Sequence, residues 1–365
     1  MTDGDHTPGY LRLSESELSR RVERAREMLS PCRVCPRECG VDRLAGELGF
    51  CETGSVAEVS SYNEHHGEEP PLSGARGSGT IFFTHCNLRC VFCQNYPISH
   101  LGHGSPAPAA ALAEMMLALA RRGCHNINFV TPTHVGPQIL EALKLARAGG
   151  LNIPLVWNSG GYDSVEFLKL LDGIVDIYLP DMKYDEDANA RKYSGVANGR
   201  GTARRAPTVG CDSRRWASRG DRPVAPTDCN NSPTVGSDRG YTAGRGMACH
   251  APTKGYREAN RAAIREMHRQ VGDLVLDDDE IAARGLIVRH LVLPEGIAGS
   301  EGVLKFLAEE ISPHTYVSLM AQFFPANRAG EFPELARGLA AKDYRAAARA
   351  MEECGLDNGW KQTRF

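Results

Sequence analysis

The stretch Thr80-Ile-Phe-Phe-Thr-His-Cys86-Asn-Leu-Arg-Cys90-Val-Phe-Cys93-Gln-Asn-Tyr-Pro97 couples a short apolar β run to three cysteines spaced C-x3-C-x2-C. Three thiolates within eight residues can converge on one face of a short loop and hold three irons of a cubane iron-sulfur cluster, which leaves the fourth iron without a protein ligand. An open coordination position is what separates a reactive metal centre from a closed structural one. A reactive group placed just after a strand is the arrangement of α/β folds whose sites gather at the C-terminal rim of a parallel sheet.

Five more runs read as strands: Asn126 to Val130, Pro154 to Trp157, Ile174 to Leu179, Leu286 to Val292 and Thr315 to Leu319. Amphipathic helices are expected near Ala107 to Arg121, Gly136 to Ala148, Ser164 to Leu171, Tyr256 to Gln270 and Ser300 to Glu310, with a closing helix over Ala340 to Glu353. Helices alternating with strands imply a parallel sheet with crossover connections. The expected fold is therefore α/β, and the residues just after each strand are the ones to inspect for chemistry.

Between Gly199 and Lys254 the composition breaks. These 56 residues contain no Leu, Ile or Phe, and ten basic minus four acidic residues give +6, against −3 for the whole chain of 365. Such a segment cannot bury enough apolar surface to offset the entropy of ordering, and it reads as a disordered insertion without chemistry of its own, with a basic docking loop as the alternative. Its partial repeats, Ala206-Pro-Thr-Val-Gly and Ser232-Pro-Thr-Val-Gly, carry too few apolar positions to stack into a shared core. The remainder of the chain carries −9 and 24% of all residues are charged, so no basic footprint for nucleic acid or an acidic membrane surface is expected. The polar start MTDGDHTPGYLRLSES lacks a secretory pattern, and no apolar run is long enough to span a bilayer, which points to the cytoplasm. In a reducing compartment, clustered cysteines are metal ligands or redox groups before they are disulfides.

Twelve cysteines are about twice the expected number, and four form a second cluster, Cys32, Cys35, Cys39 and Cys51, spaced C-x2-C-x3-C-x11-C. Four thiolates with this spacing suit tetrahedral zinc or an auxiliary 4Fe-4S cluster equally, and a closed site would staple a segment too small for its own core. Arg33, Arg37 and Arg43 would offset thiolate charge in both cases. Cys124 and Cys354 stand apart and read as plain thiols. His65 and His66 beside Glu68 and Glu69 read either as a polar loop ahead of the first strand or as a catalytic acid or substrate contact, and Gln322 after the last strand reads either as a loop residue facing water or as one facing the substrate.

The three-cysteine motif with Phe92 before its last cysteine resembles the radical S-adenosylmethionine superfamily. His65-His-Gly-Glu-Glu-Pro-Pro-Leu-Ser-Gly74, Phe129-Val-Thr-Pro-Thr-His134, Leu179-Pro-Asp-Met-Lys183 and Arg289-His-Leu-Val-Leu-Pro294 extend the likeness to the branch similar to pyruvate formate-lyase activating enzyme. The resemblance implies a partial (β/α)6 barrel over 55–330, a cysteine-rich metal-binding segment over 1–54 and a helical tail over 331–365, with the barrel interrupted at 199–254. It implies a 4Fe-4S cluster on Cys86, Cys90 and Cys93, whose open iron chelates S-adenosylmethionine. Reductive cleavage of that cosubstrate releases a 5'-deoxyadenosyl radical that abstracts hydrogen from a substrate. Phe92, Thr131, Thr133, Asn158, Asp181, Lys183 and Arg289 are the implied contacts to S-adenosylmethionine, with Val130-Thr-Pro-Thr-His134 standing where relatives place Gly-Gly-Glu. Implied partners are a reductant such as flavodoxin or ferredoxin and, for an activating enzyme, a protein carrying the target glycine. A small-molecule substrate is the other version. The contrasting class is a non-catalytic electron-transfer or zinc-scaffold protein, against which an open iron argues, because an electron carrier has all four irons ligated. No catalytic residue is assigned.

Overall fold

The computed structural model describes residues 7–196 and 254–362, together with the backbone of 204 and 205; nearly all of the 199–254 insertion lies outside the described residues. The chain forms a mixed α/β structure around one sheet. Its strands are β1 (Ala57–His65), β2 (Ser78–Phe83), β3 (Ser105–Ala107), β4 (Ile127–Val130), β5 (Leu155–Ser159), β6 (Ile177–Pro180), β7 (Ala282–Leu291), β8 (Tyr316–Met320) and β9 (Gly359–Lys361). They run in the order β9-β8-β7-β6-β5-β4-β2-β1-β3. In this order all neighbours from β2 to β9 are parallel, β1 and β3 extend the sheet antiparallel at one edge, and the short strand Val275–Leu276 pairs antiparallel with β7. The six expected strands are the contiguous parallel core, β2 and β4 to β8. Among the described residues the edge strands β3 and β9 do not pair, so the sheet is open.

Each crossover is helical: α2 (Ala109–Arg121), α3 (Gly136–Ala148), α4 (Val165–Leu170), α6 (Tyr256–Val271) and α7 (Ser300–Phe306) cover one face, with α8 (Ala341–Glu353) after β8. α1 (Glu15–Glu27) packs against α3, and α5 (Asp187–Ser194) follows β6. No helix among the described residues is long and apolar enough to cross a membrane.

Strand alternation divides the sheet into two faces. Ile81, Phe83, Ile127, Phe129, Leu155, Trp157, Tyr178, Leu286, Val288, Val317 and Leu319 join the helices in the main core. The other parity carries Val156, Ile177, Leu179, Ile287 and Tyr316, which pack on Leu72 of the short helical turn Pro70–Ser73. That turn thus plugs the N-terminal end of the inner face. Above the plug the inner face becomes polar, with Asn158, Asp181, Arg289 and Ser318 at successive strand ends.

Two boundaries differ from expectation. Ile174 and Val175 lie in a turn before β6, because Gly173 adopts a left-handed φ of 70° and the Asp176 carboxylate accepts from the Leu155 and Gly9 backbone N–H groups. β1, β3 and β9 escape a reading based on apolar runs: β1 is Ala-Glu-Val-Ser-Ser-Tyr-Asn-Glu-His, buried only at Ala57 and Val59.

Candidate functional site

The loop after β2 carries the three-cysteine motif over the C-terminal rim. His85 takes a left-handed φ of 64°, which turns the chain out of the strand, and the backbone is then held by three hydrogen bonds. Arg89 and Val91 N–H groups donate to the carbonyls of Ser194 and Tyr193, and Arg328 N–H donates to the Val91 carbonyl. A second core, including Leu88, Val91, Tyr162, Tyr184, Tyr256, Leu293 and Phe323, fills the space beneath.

Each thiol of the motif has its own polar neighbour. The Leu88 N–H donates to Cys86 Sγ at 3.3 Å, Ser194 Oγ lies 2.9 Å from Cys90 Sγ, and Ser99 Oγ lies 3.1 Å from Cys93 Sγ. Ser194 reaches Cys90 because α5 ends there, with Gly195 in the left-handed conformation that terminates helices. Burial pushes the Cys86 thiol up to about 12, helped by the charge of Cys90, and burial also raises Cys90. Burial thus favours the neutral thiols, and binding of a metal by such ligands releases their protons.

Below the motif lies a charged network. Arg289 pairs with Asp181, Nε to Oδ1 at 3.0 Å, approaches Glu68 at 3.6 Å and donates to Asn158 Oδ1. Lys183 also pairs with Asp181. Burial opposes ionisation of Asp181, yet Lys183 and Arg289 hold it below the usual carboxylate range. Glu69 is 3% exposed, its Oε2 lacks a hydrogen-bond partner among the described residues, and burial raises its pKa. Asn128 on β4 is fully buried, and neither amide atom is partnered among the described residues.

The expected cosubstrate contacts separate into two groups. Asn158, Asp181, Lys183 and Arg289 are brought together by the ends of three strands, β5, β6 and β7. Their charges already find partners within the chain, so an inward-facing cation here does not by itself require a bound carboxylate. Thr133 and Phe92 are engaged elsewhere: Thr133 donates to the buried Asp163, which also accepts from Ser159 and Trp157, and the Phe92 ring packs edge-on against Tyr184 and Phe323. Thr131 sits half-buried at the end of β4 in a left-handed φ of 62°, a strained conformation for a β-branched residue.

His290 lies on the opposite parity from Arg289 and is buried on the helical side, bonded to Met182 O and Ser300 Oγ. Gln322 is exposed at the rim, its carbonyl accepting from Gln94. Glu68 and Glu69 are placed inside the sheet rather than on a solvated loop. Their only sequence signal is the following Pro70-Pro-Leu72 plug, which cannot reach the core without drawing the two acids in.

Cys32, Cys35, Cys39 and Cys51 line one small cavity with Arg37, Arg43 and His134. All nine cysteines among the described residues are free of disulfides. A hydrogen bond from Cys39 lowers Cys32 to about 6, while Cys39 moves up and burial carries Cys35 up to about 12. Of the three nearby arginines, Arg33 turns outward to Glu166, whereas Arg37 and Arg43 are buried. Among the described residues no three Cys, His, Asp or Glu side chains stand in an arrangement that holds a metal ion. This holds for the thiols of both cysteine sets in the side-chain conformations described.

No family model matches the chain. It is 28% identical over 349 residues to an uncharacterized protein of Methanocaldococcus jannaschii, covering 93% of this chain and 80% of that protein. Among solved structures it is similar to the crystal structure of HydG, a maturase of the FeFe-hydrogenase, with a TM-score of 0.39 and 8% identity. That match covers 96% of this chain and 63% of HydG, so the chain spans less than two thirds of its length. At such a remove, the chemistry has to come from the site's own residues.

Proposed function

We propose that this chain is an iron-sulfur enzyme of the radical S-adenosylmethionine type, with its cluster on Cys86, Cys90 and Cys93. The observation that carries the reading is the placement of three thiols, each with its own N–H or hydroxyl neighbour, on one loop above a charged interior. Cys86, Cys90 and Cys93 would hold the cluster, and the chemistry it would supply is one-electron reduction of the sulfonium of S-adenosylmethionine, for hydrogen abstraction from a substrate. Leu88 N–H, Ser99 and Ser194 stabilise negative charge on the sulfurs, and the Lys183 charge acts on Cys90. Asp181, Arg289 and Asn158 form a rigid polar wall that orients a zwitterionic cosubstrate. The aromatic core of Phe92, Tyr184, Tyr256 and Phe323 walls off the loop from water.

The hydrogen donor is either a glycine Cα of a partner protein, as in activating enzymes, or a small molecule, and the electron comes from a flavodoxin or ferredoxin. The test is anaerobic reconstitution with iron and sulfide, then dithionite and S-adenosylmethionine, with 5'-deoxyadenosine measured by chromatography. Formation at least about tenfold above a Cys90→Ala variant is expected. A cluster that reduces and reoxidises without yielding 5'-deoxyadenosine would instead identify an electron carrier.

A further inference from the structure

The N-terminal cysteines carry an inference that does not depend on the proposed activity. Arg43 is 1% exposed, and its guanidinium donates to the carbonyls of Gly54 and His134. Arg37 is 9% exposed, donates to the carbonyls of Asn87 and Gly195, and stacks on Phe50 at 3.4 Å. Among the described residues neither guanidinium meets a carboxylate. Carbonyl dipoles satisfy the N–H groups without cancelling the charge, and two buried uncompensated cations are costly. The anionisable groups beside them are the thiols: Cys32 lies within electrostatic reach of Arg43, and Cys35 of Arg37.

We propose that Cys32, Cys35, Cys39 and Cys51 hold a four-thiolate metal centre of net charge two minus, matched by Arg37 and Arg43. Four neutral thiols would leave both arginines uncompensated, and four bare thiolates would overcompensate them twofold. Four thiolates around a centre carrying two positive charges balance them, and both zinc(II) and an oxidised 4Fe-4S cubane meet that condition. The backbone is cut to admit sulfur: a Cβ on Gly49 would stand 2.6 Å from Cys39 Sγ. Cys32 and Cys39 are hydrogen bonded to one another, so occupation replaces that bond as the thiols turn into the cavity they line. Arg37 also ties this centre to the rim, since its Nε donates at 2.6 Å to the carbonyl of Asn87, the residue after Cys86.

The test uses the full chain with Cys86, Cys90 and Cys93 replaced by alanine, purified without oxygen. Metal and sulfide analysis should find about one zinc, or about four irons with four sulfides, per chain. Either result supports the centre and identifies it, and adding Cys35→Ala and Cys51→Ala should abolish it. A folded triple variant, judged by circular dichroism, that carries neither metal overturns the proposal. The charge match is tested by introducing Arg43→Met or Arg43→Lys into that background. Loss of metal to a competing chelator should be about 10- to 100-fold faster for Met than for the parent, with Lys in between. Equal rates for all three would sink the charge argument.

Discussion

Arg289 on β7 and Asp181 just beyond β6 form an ion pair at 3.0 Å inside the sheet, with side chains 19% and 16% exposed. Arg289→Met leaves Glu68 without its cation and Asp181 with Lys183 as its remaining partner, and is expected to cost about 3 to 5 kcal/mol in urea unfolding. A variant as stable as the parent would refute the pairing.

Gly161 takes a φ of 72° in the turn after β5, and a Cβ there would lie 2.0 Å from the Asp181 carbonyl oxygen and 2.3 Å from the Asn260 amide. Backbone cannot yield as a flexible side chain does. Gly161→Ala should therefore destabilise the fold by about 3 kcal/mol or more and displace Asp181. A melting temperature within a degree or two of the parent would contradict the close approach.

Asp163 accepts from Thr133, Ser159 and Trp157 while fully enclosed. Asp163→Ala strands three buried donors, at a combined cost of about 3 kcal/mol or more. Trp157 fluorescence should shift as its indole N–H loses its acceptor, and an unchanged spectrum would argue against the bond.

Burial depresses His290 to about 4 from its ordinary 6.5. The folded chain then binds fewer protons than the unfolded one between these values, so stability is present above about pH 6.5 and lost as pH falls towards 4, by up to about 3 kcal/mol. His290→Gln should flatten that acid limb in pH-dependent unfolding. An identical slope would exclude His290 as its source.

The parallel core was legible because buried strands flanked by helices show as short apolar runs, and Thr80–Phe83 with its cysteines announced both strand and site. Polar edge strands were not, since β1 pairs through its backbone and needs little apolar surface. Asn158, Asp181, Lys183 and Arg289 were readable as inward-facing because they stand in the last residues of a strand or just beyond it. Thr133 looked equally suited by that rule, and only the position of Asp163 shows its hydroxyl to be occupied.

By itself, the order of residues determined the α/β class, the two cysteine sets and the rim that one of them occupies, because strand alternation and ligand spacing are local properties. Tertiary structure alone decided that Arg289 finds its counter-charge in Asp181, that Glu68 and Glu69 are drawn inside, and that Arg37 and Arg43 lie buried against four thiols. Charge compensation acts through space between segments far apart in the chain, and no local pattern records which cation will meet which anion.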